Sequence, residues 1–133
     1  METRLMTTQS VLGSCKIMAF VGVGDAGRAK EFYRDTLGLH LVSEDRFALA
    51  FDALGIMLRV SIVPKVAAAP YTVLGWQVPD VAASAKSLAA AGVKLERFEG
   101  MDQDKLGIWR APSGAMVAWF KDPDGNLLSV TQL

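Results

Sequence analysis

Residues 16–63 and 71–133 carry the same order of signals, and an internal repeat constrains a fold more than any local motif. In the first stretch "CKIMAFVGV" reads as a strand. "AGRAKEFYRDTL" then has Ala29, Phe32, Tyr33 and Leu37 at helical spacing, and Gly38 sits where a C-cap glycine belongs. Three short strands follow, "LHLVSE", "FALAF" and "GIMLRVSIV", with links too short for a helical crossover, which predicts an antiparallel meander. "PKVAAAP" (64–70) is a linker. The pattern restarts at Tyr71 with the strand "YTVLGWQV", the helix "DVAASAKSLAAAG" and the strand "VKLERF". A loop, "EGMDQDKLG", leads into the strands "IWRAP", "MVAWFK" and "LLSVTQL". Val23-Gly24-Asp25 falls on Val78-Pro79-Asp80, Gly38 on Gly92, and Leu39-His40-Leu41 on Val93-Lys94-Leu95. The predicted class is α+β, two tandem β-α-β-β-β modules of about 55 residues each.

At 133 residues, 51% of them hydrophobic, the chain is the size of one domain with an ordinary core. Fourteen basic and fourteen acidic residues balance, which argues against a nucleic-acid surface. Apolar runs are strand-length, short of a membrane span, and "METRLMTTQS" has no apolar stretch of the signal-peptide kind. Residues 1–15 read as a mobile polar tail. The single cysteine, Cys15, excludes an intramolecular disulfide and fits a reducing compartment, so a cytoplasmic location is expected.

Two local strings compete with this plan. Gly22-Val23-Gly24-Asp25-Ala26-Gly27 matches the dinucleotide fingerprint G-x-G-x-x-G, with Glu44 and Asp45 downstream. That fingerprint belongs to a parallel sheet with several crossover helices, whereas a meander follows here. The second copy makes the same turn without the glycines and keeps only the aspartate, an N-cap candidate. The glycines therefore read as a turn. "DPDG" (122–125) fits a type I turn, with proline second and glycine fourth. A calcium loop would need glycine where Leu127 stands and a bidentate glutamate where Leu133 stands.

"VGDAGRAKEFYRDTLGLHLV" and "VAWFKDPDGNLLSVTQ", with the repeat between them, resemble the vicinal oxygen chelate superfamily. That superfamily includes glyoxalase I, extradiol dioxygenases, fosfomycin-resistance enzymes and bleomycin-resistance proteins, and the resemblance covers residues 16–133. It implies two modules whose sheets curve into a ligand-holding cup, often completed by a dimer. It also implies a divalent metal on four strand positions. Carried across, these fall on Met18, Met57 (or Arg59 under another alignment), Val73 and Ser129. None is a usual hard-metal ligand, so the expectation is no metal and no cofactor. His40 opens the second strand and reads as solvated surface, and Cys15 as a small packed residue.

Period-two alternation then assigns faces. With Met18 toward the cup, Phe20, Met57, Arg59, Ser61, Val73, Gln77, Ser129 and Thr131 line it as well, and the intervening residues pack under the helices. Arg59 suits a carboxylate or phosphate, with pairing to a nearby acid as the alternative. Trp109 is assigned to covering the cup and Trp119 to the core, while Asp102 and Asp104 read as a solvated loop. The expected function is binding of a small organic molecule, an anionic one being suited to Arg59, in an apolar cup without metal, with neither nucleic acid nor membrane as partner and a homodimer as the assembly. The alternatives are a metal-independent or atypical-metal lyase, isomerase or dioxygenase, for which no general base is evident, and a structural dimer with a vestigial cup.

Overall fold

The computed structural model of the protein describes residues 11–133. The expected tail falls mostly outside that range, and residues 11–15 are exposed turn. Two four-stranded sheets carry the fold. The first, ordered β1-β4-β3-β2, is built from β1 (Met18–Val23), β2 (His40–Glu44), β3 (Ala48–Ala53) and β4 (Ile56–Ile62). The second, ordered β5-β8-β7-β6, is built from β5 (Leu74–Gln77), β6 (Trp109–Arg110), β7 (Met116–Lys121) and β8 (Leu127–Gln132). In each, the first strand lies parallel to the last and the other pairs are antiparallel. The two modules thus share one topology, as the repeat requires.

Each helix begins at the aligned aspartate. Asp25 accepts the N–H of Gly27 at 3.0 Å ahead of α1 (Ala26–Lys30), and Asp80 accepts that of Ala83 at 3.1 Å ahead of α2 (Val81–Ala90). Both helices stop at a left-handed glycine, Gly38 (φ 76°) and Gly92 (φ 88°). The first helix departs from the expected regular form, because Glu31–Thr36 winds as a π-helix in which the Leu37 N–H reaches back to the Phe32 carbonyl. Phe32 and Tyr33 in this wider turn are both buried.

A single core joins the modules. Val21, Val23, Leu49, Phe51, Leu58 and Val60 from the first sheet cluster with Ala118, Phe120, Leu128 and Val130 from the second. Val21, Val23, Leu58, Val60, Leu128 and Val130 lie on the side expected to pack under the helices, whereas Ile17, expected there as well, is 74% exposed.

The loop between β7 and β8 fastens the modules together. The Gly125 N–H donates to the Asp122 carbonyl at 3.0 Å, closing the expected turn. Asn126 Nδ2 donates to the Gly22 carbonyl at 2.8 Å, and the Gly24 N–H donates to Asp124 Oδ1 at 3.2 Å. A Cβ on Gly24 would stand 3.3 Å from that same oxygen. The glycine-rich end of β1 and the turn after it are therefore the seat of the second module's turn, which takes the Gly22 carbonyl and the Gly24 N–H.

One expected strand is missing. "VKLERF" forms only an isolated bridge, Leu95 to Phe120, plus a 2.8 Å bond from the Glu96 N–H to the Trp119 carbonyl. The following loop explains why. Gln103 Nε2 donates to the carbonyls of Glu96 (3.0 Å) and Gly107 (2.8 Å), its Oε1 accepts the Phe98 N–H (2.8 Å), and the Arg97 guanidinium donates to the carbonyls of Asp104 and Lys105. The loop folds back and takes the backbone groups a ladder would use. Asp104, expected as solvated, helps close it by accepting the N–H groups of Leu106 and Ile108 at 2.9 Å.

Candidate functional site

The face of the first sheet turned away from the core is where five of the ten sequence-assigned residues gather, those of β1 and β4. Strand pairing sets them in rows: Met18 beside Met57, Met57 beside Asp52, and Asp52 beside His40. The next row holds Phe20, Arg59, Ala50 and Ser43, and the third Gly22, Ser61 and Ala48. The alternation places Met18, Phe20, Met57, Arg59 and Ser61 on one face as expected. Met18 is 46% exposed, Phe20 58% and Met57 43%.

The pairing of β2 with β3 shifts between Leu41 and Ser43, leaving Val42 as the extra residue of a bulge. A bulge re-aims a side chain, and here it brings Ser43, opposite Ala50, to the outer side, which alternation from His40 already gives to Val42. Together with Ile17, Met18, Ala50 and Met57, Val42 walls a groove of about 610 Å³, with Lys16, His40 and Asp52 as its polar points. Asp52 Oδ1 accepts the Gly55 N–H at 3.1 Å. His40 is exposed, as expected, but it also lines this groove, which the sequence reading missed. The one available signal was its parity with Met57 and Asp52, and that depends on strand registers the sequence does not print.

Arg59 lies one row beyond, half-buried, and no carboxylate among the described residues comes within 4.0 Å of it. Asp45 nevertheless feels it. The N–H groups of Phe47 and Ala48, at 2.7 and 3.0 Å, hold the Asp45 carboxyl below the usual carboxylate range, with the charges of Arg59 and Arg46 adding to the effect.

The second sheet presents a different outer face. Gly75 pairs with Ser129 and Gln77 with Thr131, while Trp119 lies opposite Ser129 and Trp109 opposite Val117. Trp119 was assigned to the core and is not there. It alternates with buried Ala118 and Phe120, so it points outward. Its indole N–H donates to Thr72 Oγ1 at 3.1 Å, and its ring meets Trp109 at 6.1 Å and Phe98 edge-on at 5.4 Å. Trp109 belongs to this outer aromatic cluster. Ser129 shares the face but is only 7% exposed, with Gly75 close against it. Val73 precedes β5, and its N–H donates to the Leu127 carbonyl at 3.0 Å.

These positions test the metal site that the resemblance implies. Met18 and Met57 are neighbours, but Val73 and Ser129 add a hydrocarbon and a buried hydroxyl, and the row through Val73 meets Leu127. Arg59 in place of Met57 would contribute a cation. Such a donor set does not fit a hard divalent ion, which needs about three good protein ligands. Among the described residues no group of three or more His, Cys, Asp or Glu side chains comes together as a metal site. No helix among them is long and apolar enough to cross a membrane.

Comparison with known proteins agrees with the topology. No curated protein matches the chain. A lactoylglutathione lyase from Agrobacterium tumefaciens superimposes with a TM-score of 0.69 at 21% identity, covering 89% of this chain and 93% of that one. A glyoxalase family protein from Enterococcus faecalis gives 0.69 at 19% identity, covering 89% and 98%. A superfamily member from Sphaerobacter thermophilus gives 0.67 at 18% identity, covering 88% and 97%. At these identities the likeness is one of fold. Residues 16–130, nearly the whole chain, match the family model described as Glyoxalase/Bleomycin resistance protein/Dioxygenase superfamily, and the chain belongs to that superfamily.

Proposed function

We propose that this protein binds a small organic molecule in the groove on the outer face of the first sheet, without the divalent metal of its superfamily. The groove itself carries the proposal. Its volume of about 610 Å³ and its apolar walls with few polar points are those of a small-molecule pocket. Met18 and Met57, at the positions carried over for metal ligands, form part of its wall. An anionic group on the ligand would meet Lys16, with Arg59 one row away.

Native mass spectrometry of tag-free protein purified without chelator tests this. The expected result is a metal-free protein carrying an organic adduct. One divalent metal ion per chain would overturn the reading of Met18, Met57, Val73 and Ser129. We extend the proposal to a cytoplasmic homodimer, supported by the lone Cys15 and by exposed Phe20, Phe47 and Leu54, which a second copy would bury.

A second reading, metal-independent catalysis, draws on one observation: His40 and Asp52 are cross-strand partners within the groove. Under that reading His40→Ala abolishes turnover of the bound compound and leaves its binding intact. A compound recovered chemically unchanged from wild-type protein removes it.

A further inference from the structure

A second concavity lies on the opposite, helix-covered side of the second sheet. α2 covers that side with small residues along "VAASAKSLAA", and only its Val81 and Ala85 are buried. Longer side chains would seal the sheet. Here a groove of about 460 Å³ stays open between α2 and residues 36–39 at the end of the π-helical turn. Its floor is aromatic, with the Trp76 and Phe120 rings 6.4 Å apart and 21° from parallel. Leu37 and Leu39 wall one side and Leu88 the other.

The polar groups around it narrow the ligand class. Thr36, Ser84 and Ser87 line the groove, and no protein group among the described residues hydrogen-bonds their hydroxyls. The only ionisable residue in the lining is Asp80, whose carboxylate caps α2. The slot's polar groups, three hydroxyls and the Gln77 amide, are all neutral, so nothing in its lining balances an anion's charge, and Asp80 repels one weakly. A flat neutral ring can lie along the half-buried Trp76 indole and exchange hydrogen bonds with the hydroxyls.

We propose that this groove is a binding site for a neutral aromatic alcohol of one to three rings, separate from the site on the first sheet. The test is an amide- and indole-resolved NMR titration of the full chain with 2-naphthol and, separately, 2-naphthoate. The expected result is saturable shifts at the Trp76 indole N–H and at the amides of Ser84 and Ser87, with 2-naphthoate at least tenfold weaker. Ser87→Phe, which fills the groove, should weaken 2-naphthol binding at least tenfold, and Ser84→Leu serves the same purpose if the larger residue prevents folding. Absence of saturable shifts there, shifts centred on Met18 and His40 instead, equal binding of the anion, or undiminished affinity in a folded filling variant each overturn the proposal.

Discussion

The Tyr33 hydroxyl donates a buried 2.8 Å hydrogen bond to Asp122 Oδ2, tying the helix of the first module to the turn of the second across 89 positions of sequence. Asp122 is 4% exposed, and its carboxylate also accepts Asn126 Nδ2 at 2.7 Å and the N–H groups of Asp124 and Asn126 at 2.9 Å. A buried carboxylate is tolerated when its acceptor sites are filled, and Tyr33 fills one from the other module. Tyr33→Phe removes it, and urea unfolding should show a loss of about 1.5–3 kcal/mol, the range for a hydrogen bond to a charged group.

The same pair gives a pH dependence with a definite sign. Burial first, and then the Asp122 charge, push the Tyr33 hydroxyl far above its ordinary value of 10.0. Below that value both folded and unfolded chains hold the proton. Above it only the unfolded chain releases it, so stability is present below about pH 10 and falls as pH rises, by up to ~1.4 kcal/mol per unit from this group. Unfolding curves from pH 8 to 11.5 should therefore slope more steeply downward for wild type than for Tyr33→Phe. Parallel slopes would show that Tyr33 ionises as easily folded as unfolded.

Leu54 sits at φ 53° in the two-residue link between β3 and β4, fully exposed, with Gly55 at φ 87° beside it. Two consecutive left-handed residues favour Asn-Gly, and a leucine there carries a cost of roughly 1–2 kcal/mol. Leu54→Asn should raise the urea midpoint by about 1 kcal/mol equivalent without changing the slope.

Gly75 is held by contact. A Cβ built there would lie 2.7 Å from Ser129 Oγ and 3.3 Å from the Ser129 carbonyl oxygen. Gly75→Ala should destabilise by about 1–3 kcal/mol, as overpacking does. Ser129→Ala removes the shorter contact, so the double variant should recover part of the loss, and the double-mutant cycle measures how much. Additive losses would place the strain on the backbone contact alone.

Gln103 stands in for a missing strand, since one side chain satisfies Phe98, Glu96 and Gly107 at once. With Gln103→Met the Phe98 N–H loses its acceptor, and hydrogen exchange should show its protection falling at least tenfold. Amides of β7 should hold theirs. Unchanged protection at Phe98 would mean that another acceptor takes over.

What the sequence made legible was whatever repeats or alternates. The aspartate caps and Gly38 and Gly92 follow from local chemistry visible twice, and the parity of β1 and β4 and the turn at Asp122 from local chemistry visible once. Departures arose where a distant group decides. Ser43 rather than Val42 stands opposite Ala50 because of a register shift, Trp119 faces outward because the residues on either side of it in β7 are buried, and "VKLERF" keeps a single bridge because Gln103 takes backbone groups of Glu96 and Phe98. The seat that Gly22 and Gly24 offer to Asn126 and Asp124 joins residues about a hundred positions apart, which no window of sequence contains.

The proposed groove can be probed without touching the core. Ala50 lies on the outer face of β3, between Arg59 and Ser43, and lines the groove. Tryptophan at this position projects into the groove and suits a strand, so Ala50→Trp should fold with wild-type stability while losing the adduct in native mass spectra. Arg59→Ala is the companion, because Arg59 stands next to Ala50 but outside the groove wall. An anionic ligand that reaches it should bind at least tenfold more weakly in that variant, whereas a ligand held by Lys16 or by apolar contact alone should be unaffected. Retention of the adduct in folded Ala50→Trp would exclude this groove as its seat, whatever Arg59→Ala does.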